Sequence, residues 1–261
     1  MAKRSTRRRP PKTQTRRPRK KKSEPASDSY WDVTHRPLQC LAFLFPMVLA
    51  YQVGMALTHS STPFDQRPAL AAEQLLRWFF SLFGASGAYL PGAVLVVVLL
   101  VWHIASQDPW KVAAQPILGM AGESILLAVP LLFLHRWLPG LLALAGGDGP
   151  SAMDNLLLSV GAGIYEELVF RLIIISLINL LLVDIFKIRQ VAGVAIAVIV
   201  SSVLFGLHHY PPIGADPWST SEFAFRTAAG AYLAAVFVLR GFGLAVGCHI
   251  VYDVIAFLQL V

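Results

Sequence analysis

Charged residues are scarce in this chain. Of its 261 residues only 14% are Asp, Glu, Lys or Arg, whereas a soluble domain has about 25%. Cysteine is scarcer still, and Cys40 and Cys248 lie in separate apolar runs. This excludes a disulfide scaffold or a cysteine-rich metal site and predicts two unpaired buried thiols. The shortage of charge excludes an ordinary soluble domain and indicates that lipid surrounds much of the chain.

Hydrophobic residues make up 56% of the chain and form long uncharged runs. Residues 38–58 and 88–107 contain no Asp, Glu, Lys or Arg. About 20 apolar residues span a bilayer as a helix, which satisfies its own backbone polar groups. The sequence therefore predicts an all-α, polytopic transmembrane bundle of about seven helices. The predicted spans are 38–58, 88–107, 113–134, 155–183, 191–208, 224–240 and 242–261.

Three connecting segments have distinct compositions. Residues 68–84 contain an arginine followed by three aromatic residues, which predicts an interfacial amphipathic helix. Residues 139–150 are rich in glycine and residues 209–221 are rich in proline, so both are predicted to be loops.

Basic residues accumulate at the N-terminus. Residues 1–37 hold 13 of the 22 Lys and Arg residues and only three acids. Such a polar segment cannot bury enough apolar surface to fold, so a disordered basic tail is expected. No aromatic residue lies within residues 1–29 to stack on bases, which favours contact with anionic lipid over nucleic acid. The positive-inside rule places this tail in the cytoplasm, and seven spans would place the C-terminus outside a cell membrane.

Ionisable residues lie inside the predicted fourth span. Each costs at least ~2.5 kcal/mol to insert into a membrane and by default suggests function. Glu167 and Arg171 are four residues apart, so they share a helix face and can pair. Glu166 is rotated from Glu167 by about 100° and needs a partner from another helix.

Histidines end the fifth span and interrupt the seventh. His209 follows the fifth span directly, while His249 and Asp253 share one face of the seventh. A carboxylate and imidazoles in a low-dielectric cavity can have perturbed pKa values and can activate water by general base catalysis. His208 is expected to be an interfacial residue, and Glu123 in the third span is expected to cap or pair locally.

Together these residues form three ordered motifs. The motifs are Glu166-Glu167-xxx-Arg171, Phe205-xxx-His209 and His249-xxx-Asp253. They resemble those of the CPBP intramembrane proteases, which include CAAX prenyl endopeptidases of the Ras-converting type, bacteriocin-processing and immunity proteins, and lysostaphin-resistance-like proteins. The expected parts of the chain are a basic cytoplasmic tail over 1–37, N-terminal transmembrane helices over 38–149 and a protease core over 150–261.

The resemblance implies an endopeptidase that hydrolyses a peptide bond of a membrane-associated or exported protein. The residues matching the family's site are Glu166, Glu167, Arg171, His209, His249 and Asp253. The first glutamate and the histidine of the second motif would activate water. The second glutamate and the arginine would support the site, and the last pair would stabilise the oxyanion. Asp253 stands where the family often has Asn, and because an ionised carboxylate cannot donate a hydrogen bond, Asp253 is either protonated or only orients His249.

The family is described both as zinc-dependent and as glutamate-dependent. Glu166, His209 and His249 would supply three ligands of a catalytic zinc and leave one position for water, as in a metalloprotease. The chain lacks the His-Glu-x-x-His pattern of many zinc proteases, and the metal-free glutamate mechanism without a cofactor is favoured.

Two other functions are compatible with buried ionisable residues. An ion-coupled transporter or proton relay also places Glu, His and Asp on several helices, although the internal repeat typical of transporters is absent from this sequence. A non-catalytic membrane immunity or scaffold protein would need the bundle but not the site.

Overall fold

The computed structural model describes residues 29–63, 66–137 and 151–258. Within these residues all regular structure is helical, which confirms the predicted all-α bundle. The helices are α1 (Tyr30–His35), α2 (Pro37–Thr58), α3 (Ala71–Ser81), α4 (Leu90–Ser106), α5 (Ala114–Trp137), α6 (Ala152–Ile185), α7 (Gln190–Leu207), α8 (Thr220–Arg240) and α9 (Phe242–Phe257).

Seven of these helices coincide with the predicted apolar spans. Five of them, α2 and α5 to α8, are each long and apolar enough to cross a membrane. The other two, α4 and α9, are apolar but shorter, with 17 and 16 residues. The chain is a multi-pass membrane protein, and the predicted number of about seven spans is approximate.

The long helix α6 carries the acidic motif near its middle. Ser151 begins it with a capping box, in which its side chain accepts from the backbone N–H of Asp154 and the Asp154 carboxylate accepts in return. With 34 residues, α6 is about 50 Å long, which exceeds the ~30 Å hydrocarbon core. Immediately after Glu167 the helix widens into a π-helical segment, Leu168–Ile175, which contains Arg171 of the same motif. Such widenings are often found at functional sites.

The C-terminal helix α9 is the centre of the bundle. It packs against α2, α5, α6 and α8, and most of its residues from Phe242 to Ile250 are fully buried. Small residues permit this close packing: a Cβ atom at Gly247 would overlap the Ser124 side chain of α5, and one at Gly243 would lie 2.7 Å from Met120. The central position of α9 brings its histidine to the middle of the protein.

A short helix replaces part of the predicted disordered tail. The prediction for residues 1–37 is wrong at its C-terminal end, because α1 occupies Tyr30–His35 and Ser29 caps it. Trp31 of α1 lies against the Arg240 guanidinium, which is 3.4 Å from the centre of the indole ring. Residues 1–28 and the predicted glycine-rich loop at 139–150 lie outside the described residues.

Glu123 pairs over a long distance in sequence, so the prediction of a local partner is wrong. Its carboxylate accepts two hydrogen bonds from Arg240, one of them 2.8 Å long, and a third of 2.7 Å from the Tyr30 hydroxyl. Burial and the adjacent Glu123 carboxylate raise the pKa of Tyr30 to about 12, so the phenol keeps its proton and donates. This cluster joins α1, α5 and α8 at one end of the bundle.

The remaining predicted segments agree in outline with the structure. Residues 68–84 contain the 11-residue helix α3, whose Trp78 and Phe79 are exposed while Glu73 is buried. The predicted loop at 209–221 ends where α8 begins at Thr220. Cys40 and Cys248 are unpaired and buried, as predicted.

Candidate active site

Three helices bring their polar residues to one point. Glu166 comes from the middle of α6, His209 from the residues just after α7, and His249 from the middle of α9. The Nε2 atoms of His209 and His249 lie 4.0 and 3.9 Å from the Glu166 carboxylate oxygens. Glu166 is 6% exposed and His249 is 4% exposed, so the cluster is inside the protein. The structure therefore brings together the acid and both histidines of the three motifs.

A buried ion-pair chain lies behind Glu166. The carboxylate of Glu167 lies 3.1 Å from Arg171 Nε and 2.8 Å from His249 Nδ1. Arg171 also donates to the Gly230 carbonyl at 3.3 Å and lies 4.1 Å from the centre of the Phe205 ring. Glu167 and Arg171 have no exposed surface, and buried charges are tolerated only when they are paired and hydrogen-bonded. The i,i+4 pair predicted from sequence is thus present and extends to His249.

His208 and His209 share a single backbone acceptor. Their Nδ1 atoms lie 2.6 and 3.0 Å from the carbonyl oxygen of Phe205. Because a carbonyl only accepts hydrogen bonds, this network assigns the proton to Nδ1 in both rings. In the neutral rings, both Nε2 lone pairs then point toward Glu166. Three acceptor atoms, His208 Nε2, His209 Nε2 and Glu166 Oε1, therefore lie close together. Such a group is stabilised by water hydrogens, a proton or a cation between its atoms.

His208 is the residue of the candidate site that sequence reasoning missed. The expectation that it is interfacial is wrong: it is only 2% exposed, and its Nε2 lies 3.4 Å from Glu166 Oε1, closer than that of His209. His208 caps the end of α7, where the chain leaves the helix, so adjacent residues can turn to the same side. The adjacent histidines were the available signal, but helical periodicity alone assigns them to different faces.

His249 and Asp253 line the cavity next to Glu166. The Asp253 carboxylate lies 3.5 Å from His249 Nε2, the same nitrogen that faces Glu166. The cavity has a volume of about 540 Å³, within the range of ligand pockets. Its lining also includes the apolar side chains of Leu131, Phe225 and Leu233. The cavity therefore combines the polar groups of the site with apolar surface.

The atoms suited to hold a metal differ from the predicted set. Glu166, His208 and His209 each offer a ligand atom, and these atoms lie within 4.8 Å of one another. His249 is not part of this group, although its Nε2 lies 3.9 Å from Glu166 and 3.5 Å from Asp253. One carboxylate and two neutral imidazoles, each fixed through Nδ1 by a backbone carbonyl, fit the ligand chemistry of zinc.

Fold and site together describe a polytopic membrane protein with a buried carboxylate–imidazole centre. Residues 149–255 match the family described as type II CAAX prenyl endopeptidase Rce1-like. This match is consistent with a CPBP intramembrane protease and confirms the family resemblance of the three motifs, all of which it contains. Comparisons with curated proteins and with solved structures found no match. The family match supports an intramembrane endopeptidase, with a peptide substrate and a lipid bilayer as its partners.

Proposed function

We propose that Glu166 is the general base of a metal-free peptide hydrolysis in which His209 helps to hold the attacking water. The observation that carries this proposal is the buried Glu166 carboxylate, which lies 3.4 to 4.0 Å from three imidazole Nε2 atoms and lines the cavity. A water molecule within hydrogen-bond reach, about 2.8 Å, of both Glu166 Oε1 and His209 Nε2 fits their 4.0 Å separation.

In the proposed reaction, Glu166 takes one proton from this water as its oxygen adds to the scissile carbonyl carbon. The carbonyl becomes an oxyanion. When the tetrahedral intermediate collapses, the C–N bond breaks and Glu166 returns the proton to the leaving amine. The new carboxylic acid then loses its proton to solvent. General acid–base catalysis of this kind contributes about 10²- to 10⁴-fold to the rate.

His249 is the proposed donor to the oxyanion. Its Nδ1 is held 2.8 Å from Glu167, whose other oxygen lies 3.1 Å from Arg171. As an imidazolium, His249 would donate to Glu167 and also present Nε2–H to the cavity. Glu167 and Arg171 act in this proposal by fixing the ring. The Asp253 carboxylate lies 3.5 Å from the same Nε2. In this proposal Asp253 is ionised and orients the imidazole.

Zinc is the alternative to the metal-free mechanism. Bound by Glu166, His208 and His209, it would supply a hydroxide at neutral pH. In either case Glu167 and Arg171 keep the same proposed role, because they contact His249 and not the converging Nε2 atoms of the other two histidines.

The proposed substrate is a membrane-associated or exported protein. The residues that line the cavity include His209 and Asp216, and Asp216, with 46% of its side chain exposed, lies at the end of the bundle opposite to the Arg240–Glu123 cluster and α1; we place the opening of the cavity there. With α1 and the basic tail in the cytoplasm, as proposed from the positive-inside rule, this opening faces the outer side of a cell membrane. The apolar side chains in the lining of the cavity, such as Leu131 and Leu233, favour an apolar peptide segment next to the scissile bond.

The test is hydrolysis of a fluorogenic peptide library by the purified full-length protein in detergent. Each peptide carries a fluorophore and a quencher around randomised residues, with and without a farnesylated C-terminal cysteine. We expect Glu166→Gln to lower kcat/KM by at least about 100-fold, since it removes the base. Asp184→Asn, which neutralises an exposed carboxylate on the same helix, is the matched control and should leave the rate unchanged.

Metal content is measured on the same preparations. Activity without stoichiometric zinc is expected, and chelation should not reduce it. Loss of activity on chelation that zinc restores would replace the metal-free mechanism while leaving the protease function intact. Wild-type rates in Glu166→Gln would end the role of Glu166 in either mechanism.

A further inference from the structure

The residues that follow α7 fold back on themselves. We refer to residues 208–219, which join α7 to α8, as the 208–219 loop. The Tyr210 hydroxyl donates to the Ser219 carbonyl at 3.1 Å, which links the two ends of the loop. The Tyr210 carbonyl accepts from the backbone N–H groups of Ile213 and Gly214 at 3.2 and 3.0 Å. His209 therefore belongs to a compact loop rather than to a helix.

Gly214 lies directly on the backbone of His209. A Cβ atom at this position would overlap the carbonyl carbon and oxygen of His209 and would lie 2.7 Å from the His208 carbonyl oxygen. These neighbours are backbone atoms, so a side chain could be accommodated only if the loop opened. The loop is therefore closely packed against the backbone of His209, whose ring faces Glu166.

Asp216 connects His209 to α8 through two hydrogen-bonding groups. Its backbone N–H donates to the His209 carbonyl at 3.1 Å. Its carboxylate Oδ2 lies 2.7 Å from Arg226 Nη2, one and a half turns into α8. A single residue thereby links the backbone of His209 to a helix that is packed along α7 and α9.

Arg226 is held in place for this contact. Glu222, one turn earlier on α8, lies 3.4 Å from the same Nη2 atom, and the guanidinium lies 5.4 Å from the centre of the Tyr210 ring. Arg226 is mostly buried, with 18% of its side chain exposed. Because Glu222 and Arg226 belong to the same helix, their contact orients the guanidinium but does not hold the loop. Asp216 supplies the ionic link between the loop and the helix.

We infer that Asp216 and Arg226 are positioning residues whose ion pair sets the distance between His209 and Glu166. The inference rests on the proposed function, in which His209 holds the attacking water. His209 lies beyond the last residue of α7, and the contact that holds its ring to the helix is the 3.0 Å hydrogen bond from Nδ1 to the Phe205 carbonyl. A displacement of about 1 Å in a reacting group can cost about 10²-fold in rate. The ion pair limits such displacement from a distance and does not touch the reacting atoms.

The test compares Asp216→Asn with Glu222→Gln in the full-length protein. Both substitutions remove one negative charge beside Arg226, but only the first breaks the link to the loop. Hydrogen–deuterium exchange of residues 208–219 should become about 10-fold faster in Asp216→Asn and stay unchanged in Glu222→Gln, since exchange reports local opening. On a library peptide that the wild type cleaves, kcat should fall about 10-fold in Asp216→Asn with little change in KM.

A third variant distinguishes loss of the ion pair from a general folding defect. Reversing the pair, with Asp216→Lys and Arg226→Glu in the Glu222→Gln background, should restore loop protection and part of kcat relative to Asp216→Lys alone. Equal exchange in Asp216→Asn and Glu222→Gln would overturn the inference, as would faster exchange with an unchanged kcat. Activity retained in Glu166→Gln would instead refute the proposed function, so the two failures are distinguishable.

Discussion

The three acidic residues of the candidate site differ in the partners that surround each carboxylate. Glu167 has both Arg171 and His249 as partners, so its charge is compensated within the buried cluster. Among the described side chains, the ionic partners of Glu166 are all imidazoles, which supports it as the acid proposed for proton transfer. Asp253 differs from both, since 23% of its side chain is exposed at the cavity and its ionic contact with a described residue is the 3.5 Å approach to His249.

Substitution of Asp253 tests whether its carboxylate must be ionised. Replacing it by Asn, the residue often found in similar proteins, adds an amide N–H that can donate to an oxyanion. We expect Asp253→Asn to keep or raise kcat, while Asp253→Ala lowers it about 10-fold because the contact with His249 is lost. The measurement is the turnover of a cleaved library peptide. A loss of activity in Asp253→Asn equal to that in Asp253→Ala would show that the ionised carboxylate itself is required.

The distance between helices α6 and α9 decides whether the acidic motif reaches His249. At Gly163 the two helices touch through backbone: a Cβ atom there would lie 2.9 Å from the Ile250 nitrogen and would overlap its side chain. Gly163 precedes Glu166 by less than one turn, and Ile250 directly follows His249. A glycine on α6 therefore sets the separation between Glu166 on α6 and His249 on α9.

The element-scale prediction is that Gly163→Ala forces α6 and α9 apart. Overpacking of this kind costs about 1–3 kcal/mol, so the thermal midpoint in detergent should fall and peptide hydrolysis should fall with it. Gly122→Ala on α5 is the matched control, since a Cβ atom there meets nothing within 4 Å. Thermal unfolding and turnover are measured on both variants. Indistinguishable behaviour of the two would mean that α6 and α9 adjust without cost.

At the scale of the whole molecule, the 208–219 loop and the helix α1 lie at different ends of the bundle. Tyr30 and Trp31 contact Glu123 and Arg240 at one end, whereas the 208–219 loop and the first turn of α8 lie at the other. The position of the basic tail relative to the membrane therefore fixes the side from which the cavity is reached.

The topology prediction follows from the tail. Because basic segments stay in the cytoplasm, a phosphatase that is active only outside the cytoplasm should be active when fused after Val261. The same reporter fused after Lys187, in the turn between α6 and α7, should be inactive, and a fluorescent protein should give the opposite pattern. Activity after Lys187 and none after Val261 would place the cavity opening on the cytoplasmic side.

The sequence by itself determined the features that depend on local pattern. Apolar runs of membrane-spanning length define the helices, because an isolated helix satisfies its own backbone in lipid whatever its neighbours are. Charges four residues apart on one helix had to share a face, which placed Glu167 beside Arg171 before any packing was considered. The three ordered motifs were likewise sufficient to predict the family resemblance that the match over residues 149–255 confirms.

Only the tertiary structure decided what meets across helices. It brought His208 to Glu166, paired Glu123 with Arg240 across 117 residues, and joined Asp216 to Arg226. It also assigned the potential metal ligands to Glu166, His208 and His209 instead of a set with His249. These contacts depend on helix rotation and separation, which close packing at small residues such as Gly163 and Gly247 sets. No periodicity within a single helix encodes them.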